Sequence, residues 1–386
     1  MILPDYSGGS IVNLMSSIEQ GMGSGFNLYP AARDLPVSEL QECDNVILLV
    51  VDGLGYDYLS TTGNGSYLHS HLKASLTSVC PSTTAAAVPT FLTGVAPQQH
   101  GFTGWFTWFR EMGSILAVLP FQTRHGGCSL GQLGFTPGVL SDTETTFHRL
   151  KARSHVVMPE HIAESEFNLA FHDGANIRPY QGLDDFFNVI QNSIGDKQER
   201  DYVYAYWPDF DGLAHFRGIS NPELELHFAE FDEAFGRFIQ RMHGTGTRVI
   251  VTADHGFIDV PSSGVIQMKD HPELADTMVM PLCGEQRFAY SYVHPGKIER
   301  FRQYVDSELS HAIDLYSSSE IIDQGWFGLG VPHPELEYRV GHYVMVMKPG
   351  YKIRDRVLGE KPKRHIGVHG GVTPEEMYVP LIVVDC

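Results

Sequence analysis

Residues 46–51, Val-Ile-Leu-Leu-Val-Val, form an uninterrupted apolar run that stops at Asp52-Gly53-Leu54-Gly55. A run without alternation has no face to give to water, so it reads as a strand buried on both sides, as in a parallel sheet covered by helices. Two more runs stop in the same way: 202–207 (YVYAYW) gives way to Pro208-Asp209-Phe210-Asp211, and 248–252 (RVIVT) to Ala253-Asp254-His255-Gly256. Open α/β sheets gather their chemistry at the carboxyl ends of strands, where these carboxylates and the imidazole fall. The expected fold is therefore α/β, a doubly wound and mostly parallel sheet.

The segments between fit that rhythm. Residues 1–40 are expected to form an N-terminal arm or short helix packed on the core, and 75–80 (SLTSVC) a further strand. Pro81 precedes a helix start over Ser82–Leu92, within which Pro89 predicts a kink or early stop. Residues 222–243 read as an amphipathic helix facing the core with Leu226, Phe228, Phe231, Phe235 and Ile239. From 266 to 345 the rhythm breaks into FAYSYV, a charged helix around 296–310 and YVMVM, which reads as a small α+β cap insertion. His369-Gly370-Gly371 and YVPLIVV then return to the core. The implied organisation is an arm and main core over 1–265, a cap over 266–345, and a C-terminal return over 346–386.

Composition narrows the function. The 386 residues are 42% hydrophobic, ample for a large core, and carry 27 basic against 46 acidic residues, a net charge of −19. Such a field opposes a general nucleic-acid surface or an anionic membrane while leaving room for phosphate in one focused pocket. Cys43, Cys80, Cys128, Cys283 and Cys386 are odd in number and widely spaced, unlike a disulfide framework or a zinc ribbon. No signal-like apolar segment and no run of membrane-spanning length is present, so a cytoplasmic location is expected. Nothing in the sequence specifies an oligomeric state.

The ionisable residues at the strand exits have the composition of a metal site. Zinc takes imidazole with carboxylate, commonly with three or four protein ligands per ion. Asp52, Asp254 and His255 offer two oxygens and a nitrogen; Asp211 and His215, four residues apart, can meet on one helical turn; His369 lies in a glycine-rich loop that permits close approach. These six suffice for two divalent ions. A hydroxyl near a helix N-terminus after Pro81 supplies a nucleophile, and local sequence does not choose among Ser82, Thr83 and Thr84.

Taken in order, VVDGLG, CPSTTAAAVPTFLTGVAPQQHG, PDFDGLAH, TADHGF and HGGVTPEEMYVPLIV resemble the alkaline phosphatase superfamily, in its type I phosphodiesterase/nucleotide pyrophosphatase branch. The resemblance covers most of 44–265 and 365–384. It implies that Asp52, Asp254 and His255 hold one metal, that Asp211, His215 and His369 hold the other, and that the nucleophile is Thr84, activated at the first metal. Asp209 falls outside the ligand spacing. Zinc is the implied ion, with manganese as the alternative, and the implied reaction proceeds through a covalent threonine intermediate on a small phosphorylated substrate, a nucleotide or other phosphodiester. Relatives usually carry an asparagine contacting a non-bridging phosphoryl oxygen where this chain has Trp105; Arg110 or a backbone amide is the expected substitute. Trp105, Phe106, Trp108 and Phe109 make an aromatic cluster there, read first as ordinary packing or cap contact and otherwise as a base-stacking or lipid-contacting wall, with Trp105 and Arg110 the candidate substrate-binding residues. Arg287 can reach a phosphate, with a cap salt bridge as the plainer expectation. Other outcomes within the superfamily are a phosphomonoesterase or a phosphoryl or nucleotidyl transferase; outside it stands an inactive metal-binding or scaffold protein with this fold.

Overall fold

The apolar run at 46–51 lies in the middle strand of a seven-stranded sheet, β1 (Asn45–Val51), buried along its whole length. The structure, a computed structural model, describes all residues except 27, 127–128, 196–198 and 361–363. The other strands are β2 (Leu72–Thr77), β3 (Arg153–Pro159), β4 (Asn176–Tyr180), β5 (Asp201–Trp207), β6 (Thr247–Thr252) and β7 (Tyr378–Asp385), in the spatial order β2-β7-β6-β1-β5-β3-β4. β1 runs parallel to β5 and β6, and β3 parallel to β4 and β5; only β7 runs against its neighbours β2 and β6. The sheet is thus mostly parallel, as its unbroken apolar strands predict. Val50 is level with Tyr206 on one side and Thr252 on the other, so three adjacent strands end together.

Helices cover this sheet. α1 (Ile11–Gly21) buries Ile11, Val12, Leu14, Met15 and Ile18 completely, so the N-terminal arm is core. α2 (Thr84–Thr93) does not stop at Pro89: it is buried over nearly its whole length and ends at Gly94, whose φ of +66° suits glycine. The Thr90 and Thr93 hydroxyls donate to the carbonyls of Ala86 and Pro89 along the same stretch. α3 (Asp209–Arg217) and α4 (Pro222–Met242) follow β5. On α4 the core face is Leu224, Phe228, Phe231, Phe235, Phe238 and Ile239, whereas Leu226 is 61% exposed. Two residues from both Leu224 and Phe228, it falls on the opposite side of the helix.

A second seven-stranded sheet takes strands from two stretches of chain. Its order is Ile313–Ser317, Tyr343–Met347, Phe288–Ser291, Cys283–Gly284, Phe106–Phe109, Ser114–Ala117 and Gln122–Thr123, and Gly284 pairs with Phe106 where the stretches join. The aromatic cluster is therefore partly a strand: Phe109 packs beneath the Arg339 guanidinium and Phe106 beneath that of Arg124. The charged helix runs Ile298–Tyr304 and continues as a π-turn over Val305–Leu309. Cys43, Cys80, Cys283 and Cys386 are free thiols; Cys128 lies outside the described residues. Among the described residues, no helix is long and apolar enough to cross a membrane.

Candidate metal centre

Because β1, β5 and β6 end level, their exit residues converge. Asp52 follows β1, Asp254 and His255 follow β6, and their ligand atoms lie within 4.8 Å of one another. His255 Nε2 is 3.4 Å from both Asp52 Oδ1 and Asp254 Oδ2. The set is locked from behind. Asp254 Oδ1 accepts the N–H groups of Gly53 and His255, each at 3.0 Å, and Asp52 Oδ2 accepts the Tyr206 hydroxyl. Gly53 has a φ of +77°, and a side chain there would strike Phe257. Thr84, the first residue of α2, brings its Oγ1 to 3.2 Å from His255 Nε2.

α3 supplies the second group. Asp211 and His215, one turn apart, place Oδ1 and Nε2 3.4 Å apart. His369, from the loop before β7, puts its Nε2 3.2 Å from His215 Nε2 and 3.8 Å from Asp211 Oδ1. The groups abut: the His255 and His369 rings stack at 3.7 Å, and Asp211, His255 and His369 also gather ligand atoms within 4.8 Å. In all three histidines Nδ1 faces a backbone carbonyl, that of Gly256 for His255, Gly367 for His215 and Ser82 for His369. Donation from Nδ1 fixes the tautomer and leaves Nε2 as a lone pair aimed into the site.

The electrostatics fit bound cations. Asp52 Oδ1, Asp254 Oδ2 and Asp211 Oδ1 are buried acceptors without a hydrogen-bond partner among the described residues. Burial, then the charges of Asp254 and Asp211, pushes the Asp52 carboxyl well above the usual range; burial, then Asp254 and Glu285, does the same for Asp211. Burial lowers His255 and His369, the latter helped by its two histidine neighbours. Converging carboxylate oxygens with no donor are costly by themselves and are relieved by divalent cations. Among the described residues two candidate groups of aspartate and histidine are present, Asp52 with Asp254 and His255, and Asp211 with His255 and His369.

Not every candidate reaches this centre. Arg110 bonds Glu335 at 2.8 Å and lies over the Tyr338 ring, and among the described residues it bonds neither group of ligands. Arg287 is fully buried against Glu376, with Nε to Oε1 at 2.7 Å, a salt bridge rather than a phosphate contact. Trp105 approaches the wall through its backbone N–H, which donates to Glu285 Oε1 at 2.7 Å. Ser82 and Thr83 point elsewhere: the Ser82 hydroxyl bonds the Gly371 carbonyl and that of Thr83 bonds Glu285. Asp209 begins α3 outside both groups. Two residues without a sequence signal belong to the surroundings. Tyr206 sits inside an apolar strand, and Glu285 on a distant hairpin turn, its carboxyl pushed up to about 7 by burial against the opposing bonds from Thr83 and Trp105.

A mostly parallel α/β sheet with Asp/His groups at its central strand exits is the architecture of the alkaline phosphatase superfamily. Over residues 46–372 the chain matches the family model described as type I phosphodiesterase/nucleotide pyrophosphatase, and it belongs to that family of hydrolases. Murine ectonucleotide pyrophosphatase/phosphodiesterase 5 is similar in structure, with a TM-score of 0.64 at 19% identity, covering 87% of each chain. Its human counterpart gives 0.64 at 17% identity, covering 88% of this chain and 87% of that one. Phosphonoacetate hydrolase from Sinorhizobium meliloti 1021, in complex with phosphonoformate, gives 0.61 at 18% identity over 87% and 89% of the two chains. A search of curated proteins found no match.

Proposed function

We propose that the protein is a dinuclear metal-dependent phosphodiesterase that works through a covalent intermediate on Thr84. One observation carries the reading: the Thr84 hydroxyl stands 3.2 Å from His255 Nε2, beside three buried carboxylate oxygens that lack partners. Asp52, Asp254 and His255 would hold one ion, and Asp211, His215 and His369 the other. Two divalent cations, zinc or manganese, would supply Lewis acidity there, lowering the pKa of a bound hydroxyl and neutralising charge on phosphoryl oxygens. The chain's own groups do the rest. Thr84 Oγ1 is presented at the start of α2, where the free N–H groups of a first helical turn favour an anion. Its oxygen attacks phosphorus, the Oγ1–P bond forms, and the bond from phosphorus to the leaving alcohol oxygen breaks. Water then attacks the phosphothreonine, breaks the Oγ1–P bond and restores the hydroxyl. Support also comes from the relatives, whose titles name a nucleotide pyrophosphatase/phosphodiesterase and a phosphonate hydrolase. The test compares mono- and diester hydrolysis by zinc-loaded protein with Thr84→Ala as control. Faster diester turnover that vanishes in the variant supports the reading, and exclusive monoester turnover overturns its substrate class.

A further inference from the structure

The site has a wall that the chemistry above does not use. Gly284 joins the two halves of the second sheet, and the chain turns at once, with the Glu285 N–H donating to the Phe288 carbonyl at 2.9 Å. The turn carries Glu285 to the nucleophile helix, where its Oε1 accepts the Thr83 hydroxyl at 2.8 Å and the Trp105 N–H at 2.7 Å. On the other side it meets the loop of His369: a Cβ built on Gly370 (φ +103°) would come within 2.7 Å of the Glu285 Cβ. Glu285 thus stands between the residue before Thr84 and the residue after His369, half-buried, with its field felt at Asp211. Oε1 is saturated, whereas Oε2 has no hydrogen-bond donor among the described residues. Among the described residues, Arg287 is paired with Glu376, Arg124 with Glu360 and Arg110 with Glu335, while Arg354 bonds the Gln286 side chain at 3.3 Å. One carboxylate oxygen therefore lies beside the segments that carry Thr84 and His369, with no cationic side chain bonded to it among the described residues.

We propose that Glu285 is a specificity-determining residue that selects phosphodiesters whose retained alcohol carries an ammonium group close to phosphorus, as in a 2-aminoethyl ester. The inference rests on the phosphodiesterase reading. An ammonium donates to Oε2 in a charge-assisted bond, whereas a second phosphate, as in a nucleoside triphosphate, meets like charge. Trp105 fits this view, because its backbone N–H orients Glu285 instead of a side-chain amide binding the phosphoryl oxygen.

The experiment uses the zinc-loaded full chain with two esters sharing one leaving group, 4-nitrophenyl 2-aminoethyl phosphate and 4-nitrophenyl ethyl phosphate. The expected result is a kcat/KM ratio of about 10- to 100-fold in favour of the amine, the scale of a hydrogen bond to a charged group, falling to within about threefold in Glu285→Gln. A second measurement is titration calorimetry of zinc-loaded Thr84→Ala with O-phosphoethanolamine and with ethyl phosphate. The preference for the amine should persist there and disappear in Thr84→Ala/Glu285→Gln. Equal turnover of the two esters by the unaltered protein, or a preference untouched by Glu285→Gln, overturns the role of Glu285. No turnover of either ester overturns the phosphodiesterase reading, and the calorimetric preference still decides the inference.

Discussion

The two groups of ligands draw on the same chemistry and are held with different stiffness. Asp52, Asp254 and His255 are 2%, 0% and 0% exposed, grow directly from strand ends, and have their rear oxygens pinned by two backbone N–H groups and the Tyr206 phenol. Asp211 and His215 are 18% and 17% exposed at their side chains, ride on a short helix, and depend on a loop for His369. Each half suits a different part of the proposed displacement. The half beside Thr84, the proposed nucleophile, is preorganised and dry, where fixed groups act most strongly. The half that would meet the departing oxygen is open, so that alcohols of different size can leave.

The comparison can be broken first at the nucleophile. Thr84→Ala should lower diester kcat/KM by at least ~10³-fold with metal content unchanged, measured by steady-state kinetics and elemental analysis; surviving activity would remove Thr84 from the chemistry. The ligands come next. Asp254→Asn should cost both ions and about 10²- to 10³-fold in rate, whereas Asp211→Asn should cost only the more weakly held ion, read by native mass spectrometry. Equal losses would erase the distinction between the halves. A third effect acts on the open half alone. Glu376 accepts the Gly371 N–H and is paired with Arg287, so it anchors the loop of His369. Arg287→Met should destabilise the fold by about 3–5 kcal/mol, because it leaves Glu376 buried and unpaired. It should also weaken the second ion, with thermal unfolding and metal titration as the readouts. Smallest is Tyr206→Phe, expected to weaken metal at the buried half by about 10- to 100-fold. The open half should stay as it is in the same titration.

What the sequence disclosed follows from how locally each feature is determined. β1, β5 and β6 are legible because strands buried on both faces need unbroken apolar runs, and a polar exit after such a run stands out. Asp52, Asp211, Asp254 and His255 come with them, since level registers bring the exits together without any long-range information. β3 and β4 escaped notice because 153–159 and 176–180 mix Arg, His and Pro with their apolar residues. Leu226 was misread for a narrower reason: near-helical spacing admits more than one choice of face, and Leu224 won it. Glu285 was illegible altogether. Its position depends on Gly284 pairing with Phe106 across the second sheet, a contact between residues far apart in the chain, and a glutamate on a hairpin turn carries no local mark.

One feature of the core sheet bears on how the protein is made. β7 lies in the interior of that sheet, between β2 and β6, and among the described residues it is the strand that pairs with β2. During synthesis β2 emerges early and must wait while about 300 further residues are added, roughly 15 to 60 s at ordinary translation rates. Once β6 is made, about 125 residues before β7, it too presents an unpaired edge, a template for another nascent chain. The segment bearing Thr84 follows directly on β2, so Thr84 is seated only when the last strand arrives. A chain cut short before residue 378 would then leave β2 and β6 with open edges and Thr84 unseated.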